Sequence, residues 1–207
     1  FKGNDKNRYD LFAATPPLEA KKMLCHLAAN QKGNKGPIKK LGFIDIVKAY
    51  FHAPVKHLIY VKLPPEALNP AGYFSLCGTR DAAHNWEDAY TEVMLSLGFK
   101  QGKSSPCIFR HKERYIITVV HGDDFTTLAT EENQKWLAAH FKTKFEIKER
   151  GIMGPDSHDI KEIRLLNRII AWENDHIRYE ADQRHVEILI KTLGLTDAKG
   201  CLLYTSD

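Results

Sequence analysis

Residues 107–129 read CIFRHKERYIITVVHGDDFTTLA, and this stretch decides the fold. Apolar and β-branched residues predominate at 107–110 and 115–120, and the polar residues HKER at 111–114 separate these two runs. We therefore predict a β-hairpin. The polar group HGDD at 121–124 follows at once and leads into another strand-like run at 125–129. Successive strands joined by tight turns indicate an antiparallel sheet.

Helical patterns alternate with these hairpins rather than with single strands. Apolar residues recur at three- and four-residue steps over 80–97, and Gly98 is placed to end that helix. We also predict helices at 17–30, 130–141 (with Thr130 as N-cap) and 182–193, and strands at 41–47, 58–63, 144–148, 163–172 and 177–179. The apolar stripe that we expect on the first helix is Leu18, Met23, Leu24, Leu27 and Ala28. This order favours an α+β fold, an antiparallel sheet covered by helices on one face, over a doubly wound sheet.

Composition excludes several classes of protein. The chain has 207 residues, 30 Lys and Arg against 26 Asp and Glu, and a formal charge of 30 − 26 = +4. Its 43% hydrophobic and 27% charged residues are typical of a globular protein. No apolar run approaches the roughly 20 residues of a membrane span, and the start lacks the pattern of a secretory signal. Four scattered cysteines without a C-x-x-C pair favour a reducing compartment. We therefore expect an intracellular protein that is neither secreted nor bound to membranes.

Three carboxylates stand out from this background. Asp45 lies alone in the apolar run LGFIDIV, and Asp123 and Asp124 follow the apolar run IITVV. A charge at the end of a buried strand is costly unless it is paired or bound to metal. Adjacent carboxylates repel each other, and hard oxygen ligands suit magnesium. Two such ions could serve an in-line phosphoryl displacement, although Asp-Asp is also an ordinary turn sequence.

Several motifs in unbroken order resemble the copia-type LTR-retrotransposon reverse transcriptases. Residues 44–52 (IDIVKAYFH) resemble L-D-V-K-x-A-F-L-H, and residues 59–64 (IYVKLP) resemble I-Y-M-x-Q-P. Residues 76–86 (LCGTRDAAHNW) align with L-Y-G-L-K-Q-A-P-R-x-W, and HGDD at 121–124 stands in the place of Y-V-D-D. The likeness runs from about residue 10 to residue 200.

This resemblance implies a reverse-transcriptase palm, which is a ferredoxin-like antiparallel sheet, together with partial fingers. It implies RNA-directed DNA polymerase activity, in which dNTPs are added to a primer 3′-hydroxyl. Asp45, Asp123 and Asp124 would be the catalytic and metal-binding carboxylates, with Asp45 and Asp123 as the best direct ligands. The implied cofactor is a pair of Mg²⁺ ions, with Mn²⁺ as the alternative.

Further site residues follow from the same motifs. The nucleotide would lie against Ile46, Val47, Lys48 and Ala49, and the ring of Tyr50 would exclude a ribose 2′-hydroxyl unless it is a plain core aromatic. Template and primer would contact Arg80, Asp81, His121 and Gly122, while Lys148 is either near the triphosphate or an exposed strand lysine. The implied partners are an RNA template, a DNA or RNA primer, dNTPs and the rest of the Pol polyprotein (integrase and ribonuclease H). The implied location is a cytoplasmic particle, the nucleus or both.

The resemblance also sets expected limits for the chain. We interpret residues 1–200 as one reverse transcriptase domain, comprising partial fingers, the palm and the start of the thumb or connection region. The segment 201–207 (CLLYTSD) equals one reading frame of a transposase adapter used in sequencing libraries, and we interpret it as an artefact. Because fingers and thumb are incomplete, we expect no robust polymerase activity from this fragment alone.

Departures from the family pattern leave alternatives open. Asp81 replaces Gln, Ala83 replaces Pro and His84 replaces Arg, while His121 and Gly122 replace Tyr and Val and Asn167 stands where Gly is expected. These changes fit either a divergent subfamily or a decayed copy. The alternative function is therefore a catalytically inactive, nucleic-acid-binding remnant with a basic loop at residues 32–40. A nucleotide cyclase with HGDDF in place of G-G-D-E-F is a third reading, and the segment around Trp86 argues against it.

Overall fold

The computed structural model describes residues 13–31, 36–56, 79, 81–174, 176–181 and 183–195. These residues form a mixed α+β fold with four helices and two antiparallel sheets. The helices are α1 (Leu18–Ala29), α2 (Ala82–Ser96), α3 (Glu131–Lys142) and α4 (Arg184–Thr192). The strands are β1 (Lys40–Ile46), β2 (Lys100–Gln101), β3 (Ile108–His111), β4 (Ile116–His121), β5 (Asp124–Ala129), β6 (Ile147–Met153), β7 (Glu162–Leu165), β8 (Arg168–Trp172) and β9 (Ile177–Ala181). The α+β class is confirmed.

The chain divides into two compact units, Phe1–Lys161 and Glu162–Asp207. The first contains a six-stranded sheet in the order β2-β3-β4-β5-β1-β6, in which every neighbouring pair is antiparallel. Strand β1 thus lies between β5 and β6, and it pairs with a strand that begins some 80 residues later along the chain. Strands β1 and β5, which lie far apart in the sequence, are therefore neighbours in the interior of the sheet.

The two faces of this sheet are covered by different helices. Side chains alternate between the faces along each strand, and Ile44 and Phe125 pack on one face in the main core with residues of α2 and α3. The opposite face carries Leu41 and Phe43, which are also buried, and α1 contacts β1, β4 and β5. The prediction that the helices cover one face is therefore wrong for α1.

Helix α1 is also rotated relative to the predicted stripe. Leu24 and Ala28 are buried as expected, but Leu18, Met23 and Leu27 are about 40% exposed. The buried positions are Ala20, Lys21, Leu24, Cys25 and Ala28. Because apolar residues occur on both sides of this helix, their spacing alone did not determine which side packs on the sheet, and a lysine takes a buried position.

Local signals at element ends are mostly confirmed. The Asn133 amide donates to Thr130 Oγ1 at 3.4 Å, so Thr130 is the N-cap of α3. Gly98 ends α2 with φ at +87°, a conformation that glycine adopts without strain. The predicted strand at 144–148 is misplaced, since β6 begins at Ile147 and runs to Met153. The predicted strand at 58–63 and the segment 201–207 lie outside the described residues.

The second unit contains the sheet β7-β8-β9 and helix α4. The single strand predicted at 163–172 is a hairpin, because Leu166 and Asn167 both have positive φ, at 48° and 57°. Such two-residue turns suit Asn and Gly. Asn167 therefore adopts the positive-φ backbone conformation for which glycine is expected at this position.

Candidate active site

One row of polar side chains crosses four neighbouring strands of the large sheet at their ends. The register pairs His121 with Asp124, Asp124 with Asp45, and Asp45 with Lys148, on strands β4, β5, β1 and β6. Directly opposed residues point to the same face, with Cβ atoms about 5 Å apart. The structure thus brings Asp45 and Asp124 together, although 78 residues lie between them in the sequence.

Asp123 belongs to the turn that joins β4 to β5. Gly122, the first residue of this two-residue turn, has φ at +64° and is exposed, which suits a type II′ hairpin. The Gly122 carbonyl accepts a hydrogen bond from Trp86 Nε1 at 2.9 Å, so buried Trp86 of α2 anchors the turn. Asp123 itself is exposed at the rim of the site. The three carboxylates therefore range from exposed to buried.

Asp124 is the buried member of the three. Burial raises the pKa of its carboxyl group, the Lys21 and Arg150 charges oppose that rise, and the neighbouring Asp123 and Asp45 charges add to it. Arg150 Nη1 lies 3.5 Å from Asp124 Oδ1. Arg150 is the extra residue of a bulge where β6 shifts its register against β1. Bulges re-aim side chains in this way.

Lys21 was missed as a site residue by sequence reasoning. It is 5% exposed, it interacts electrostatically with Asp124 and His121, and its Nζ has no hydrogen-bond partner among the described residues. Burial lowers the pKa of the Lys21 ammonium, and the charge of Asp124 opposes this shift. Its position in the helical repeat, one turn before Leu24 and Cys25, was the signal that could have revealed it.

The predicted nucleotide-binding segment follows directly after β1. The Ile46 amide donates to the Asp123 carbonyl at 3.0 Å and the Val47 amide donates to the Glu146 carbonyl at 2.9 Å. These two amides are therefore engaged within the protein. Lys48 is exposed with φ at 52°, and it leads into a 3₁₀ turn over Ala49–His52. Ala49 is buried, and Tyr50 packs partly buried against the main core, which leaves part of its ring accessible.

The predicted template and primer residues are not all brought to one place. Arg80 lies outside the described residues. Asp81 stands at the start of α2, where its Oδ2 accepts a hydrogen bond from Asn85 Nδ2 at 3.1 Å. His121 lies in the polar row, and burial and the nearby Lys21 charge lower its pKa. His121 and Gly122 thus adjoin the carboxylates, whereas Asp81 contributes to a helix start.

A second acidic cluster could hold a metal ion. The ligand atoms of Glu131, Asp156, His158 and Asp159 lie within 4.8 Å of one another. Lys40 already supplies positive charge there, with Nζ 2.7 Å from Asp156, 2.8 Å from Asp159 and 3.0 Å from Glu131. Burial disfavours the Lys40 charge, but these three hydrogen bonds raise its pKa overall. The predicted Asp45, Asp123 and Asp124 are not part of this cluster.

The same contacts correct one expectation about the basic loop. Lys40, the last residue of the predicted basic loop at 32–40, is 3% exposed and fully engaged by carboxylates. Lys39 lies over the Tyr115 ring at 5.5 Å from its centroid, and residues 32–35 lie outside the described part.

In the part of the chain that the structure describes, no helix combines the length and the apolar character that crossing a membrane requires.

Comparisons with known proteins give no further guide to this site. No family model matches the chain, and neither a curated protein nor a solved structure matches it.

Proposed function

We propose that the chain is the palm-centred part of a copia-type retrotransposon reverse transcriptase, which adds dNTPs to a primer 3′-hydroxyl under the direction of a template. The observation that carries this proposal is the pairing of Asp45 with Asp124 at neighbouring strand ends, with Asp123 beside them. The motifs that resemble the family assign these same three residues to catalysis. The strand pairing does not depend on the resemblance, and it supports the same grouping of carboxylates that the resemblance implies.

The order of elements is compatible with such a palm. Strand β1, helix α2, strands β4 and β5, helix α3 and strand β6 follow one another along the chain, with β2 and β3 inserted after α2. In the sheet the four strands stand in the order β4-β5-β1-β6. This order is compatible with the βαββαβ arrangement called ferredoxin-like. Because one fold can support many functions, the assignment of a function depends on the residues at the strand ends.

The donor set fits hard divalent cations. Asp45 is half-buried, Asp123 is exposed and Asp124 is buried, and all three offer carboxylate oxygens. Asp45 and Asp123 would hold Mg²⁺, or Mn²⁺ in its place, with Asp124 assisting. Two such ions, when bound, supply activation of the primer hydroxyl and neutralisation of charge on the departing pyrophosphate.

The chain's own residues would orient the nucleotide. With the Ile46 and Val47 amides engaged, the Lys48 and Ala49 amides and the exposed Lys48 ammonium are the groups of this segment that could meet phosphate oxygens. The accessible part of the Tyr50 ring would exclude a 2′-hydroxyl. His121 and Gly122 would adjoin the primer end, and Arg80 would adjoin the template. The proposed partners are the template, the primer, dNTPs and the rest of the Pol polyprotein, in a particle or in the nucleus.

Two observations favour the alternative, an inactive nucleic-acid-binding remnant. Lys21 places a buried positive charge beside Asp124, where catalysis would call for divalent cations. Asp81 adds a negative charge at the start of α2, where it would repel phosphates. A remnant would bind through nonspecific phosphate contacts and would release nucleic acid steeply as salt rises.

Primer extension by the complete product of the gene separates these functions. We expect Mg²⁺-dependent extension that Asp123→Asn abolishes, while Glu113→Gln, which alters an exposed carboxylate in the β3–β4 turn, leaves it unchanged. Equal extension by the wild type and Asp123→Asn would refute the assigned role. Salt-sensitive binding of the template-primer without extension in either protein would establish the remnant.

A further inference from the structure

The row of His121, Asp124, Asp45 and Lys148, together with Asp123 at its rim, is called the carboxylate row below. Helix α1 places the Lys21 side chain on the face of the large sheet that carries this row. Lys21 stands near the start of this helix, and the helix packs on β1, β4 and β5, which carry Asp45, His121 and Asp124. The Lys21 charge interacts with those of Asp124 and His121. The ammonium therefore lies between the helix and the sheet, near the row.

Its surroundings are unusual for a lysine. Lys21 is 5% exposed, and no described residue accepts a hydrogen bond from its Nζ. Lysines are almost never fully buried unless they are paired. The neighbouring Lys22 is exposed on the same helix, so the chain offers both environments at adjacent positions. Burial lowers the pKa of the Lys21 ammonium, and the charge of Asp124 offsets only part of this effect.

Three negative side chains at the row are matched by three positive ones without any added ion. Asp45, Asp123 and Asp124 are negative, and Lys21, Arg150 and Lys148 are positive. Arg150 and Lys148 are partly or fully exposed, so solvent screens them. Lys21 is the cation that acts through the protein interior, where a charge has its largest effect.

We propose that Lys21 is a resident cation of the carboxylate row, which supplies part of the positive charge that divalent ions would otherwise provide and so weakens their binding in the nucleotide-free protein. This inference rests on the proposed cation-binding role of Asp45, Asp123 and Asp124. Lys21 is a positioning residue, because it acts on bound cations through the carboxylates rather than by touching substrate.

The test is the Kd for Mn²⁺ of the 207-residue chain, measured by electron paramagnetic resonance of the free ion. Lys21→Met removes the charge at similar length, Lys21→Gln removes it with a polar group, and Lys22→Met makes the same change of net charge at an exposed position. Asp45→Asn identifies the part of the binding that belongs to the row rather than to the cluster around Lys40. Thermal unfolding of each variant checks its fold.

We expect Lys21→Met and Lys21→Gln to lower the Mn²⁺ Kd about tenfold, the scale of one interior charge acting on a divalent ion. Lys22→Met should stay within about twofold of the wild type, because its charge is screened by solvent. An unchanged or raised Kd in both Lys21 variants, with binding still sensitive to Asp45→Asn, would overturn the inference and leave the proposed function standing. Absence of any Asp45-sensitive binding in all variants would overturn both.

Discussion

Lys40 joins three segments of the first unit, and its replacement by methionine tests how the sheet is held to α3. Its side chain is 4% exposed, and it bonds Glu131 at the start of α3 and both Asp156 and Asp159 in the loop after β6. Asp159 is 1% exposed, so Lys40→Met leaves a buried carboxylate without its cation. Removing one partner of a buried ion pair costs about 3 kcal/mol or more.

Lys135→Met is the matched control for this substitution. Lys135 contacts the same Glu131 at 2.8 Å, but its side chain is 70% exposed and the pair has the helical i,i+4 spacing. Exposed pairs of this kind contribute about 0.5 kcal/mol or less. Urea unfolding at pH 7 gives the free energy of unfolding for both variants from the midpoint and slope.

The pH dependence gives a second check of the same contact. The Lys40 hydrogen bond lowers the pKa of Asp156, and Lys135 and Lys40 together lower that of Glu131 to about 2. Carboxyl groups with lowered pKa values contribute stability above their ordinary pKa, and this stability is lost as pH falls through the folded value. The gap between the wild type and Lys40→Met should therefore be full above about pH 4.5 and narrow towards pH 2. A Lys40→Met loss below about 1 kcal/mol, or one equal to that of Lys135→Met, would refute the reasoning.

Three further predictions concern the carboxylate row and the segment after β1. Burial raises the pKa of Asp124, so its ionised form destabilises the metal-free protein; Asp124→Asn should raise the Tm at pH 7, and the gain should vanish below about pH 3.8, where the unfolded chain also protonates. A constant gain at all pH values would contradict this cause. Gly122→Val should cost about 1–2 kcal/mol through its positive φ alone, since a Cβ there meets nothing within 4 Å, whereas Gly122→Asn should cost less in the same urea titration. Equal losses would show that the turn's φ is not the cause. In the complete gene product, Tyr50→Val should raise ribonucleotide incorporation relative to dNTPs about tenfold; Phe51→Val, which alters an exposed neighbour, should not, and unchanged discrimination would remove Tyr50 from the site.

Features that depend on a few neighbouring residues could be read from the sequence. Thr130 precedes a helical pattern with acidic residues in its first turn, and it caps α3 as such residues do. The hairpin of β4 and β5 follows from two apolar runs around a glycine-containing turn. The position of Asp45 at a strand end followed from the apolar run around it, and β1 confirms it within one residue.

Features that depend on distant contacts could not be read in the same way. The pairing of β1 with β5 and β6 places Asp45 between Asp124 and Lys148, and no local pattern states which strands are neighbours. The Arg150 contact with Asp124 depends on a bulge beside Gly151, whose φ is +123°. Lys21 is buried because α1 lies on the sheet with a phase that its apolar residues on both sides did not determine. Lys21 and Arg150, two of the positive charges around the carboxylates, were therefore the part of the site that sequence reasoning missed.

We propose that divalent cations bind at Asp45, Asp123 and Asp124 rather than at the cluster around Lys40. Fe²⁺ that replaces Mg²⁺ generates hydroxyl radicals when ascorbate and peroxide are added, and these cleave the backbone next to the bound ion. Mass spectrometry of the fragments from the 207-residue chain then locates the ion. We predict cleavage near residue 45 and at 121–124, suppressed by excess Mg²⁺ and absent in Asp45→Asn. Cleavage confined to residues 131 and 154–159, unaffected by Asp45→Asn, would contradict the claim.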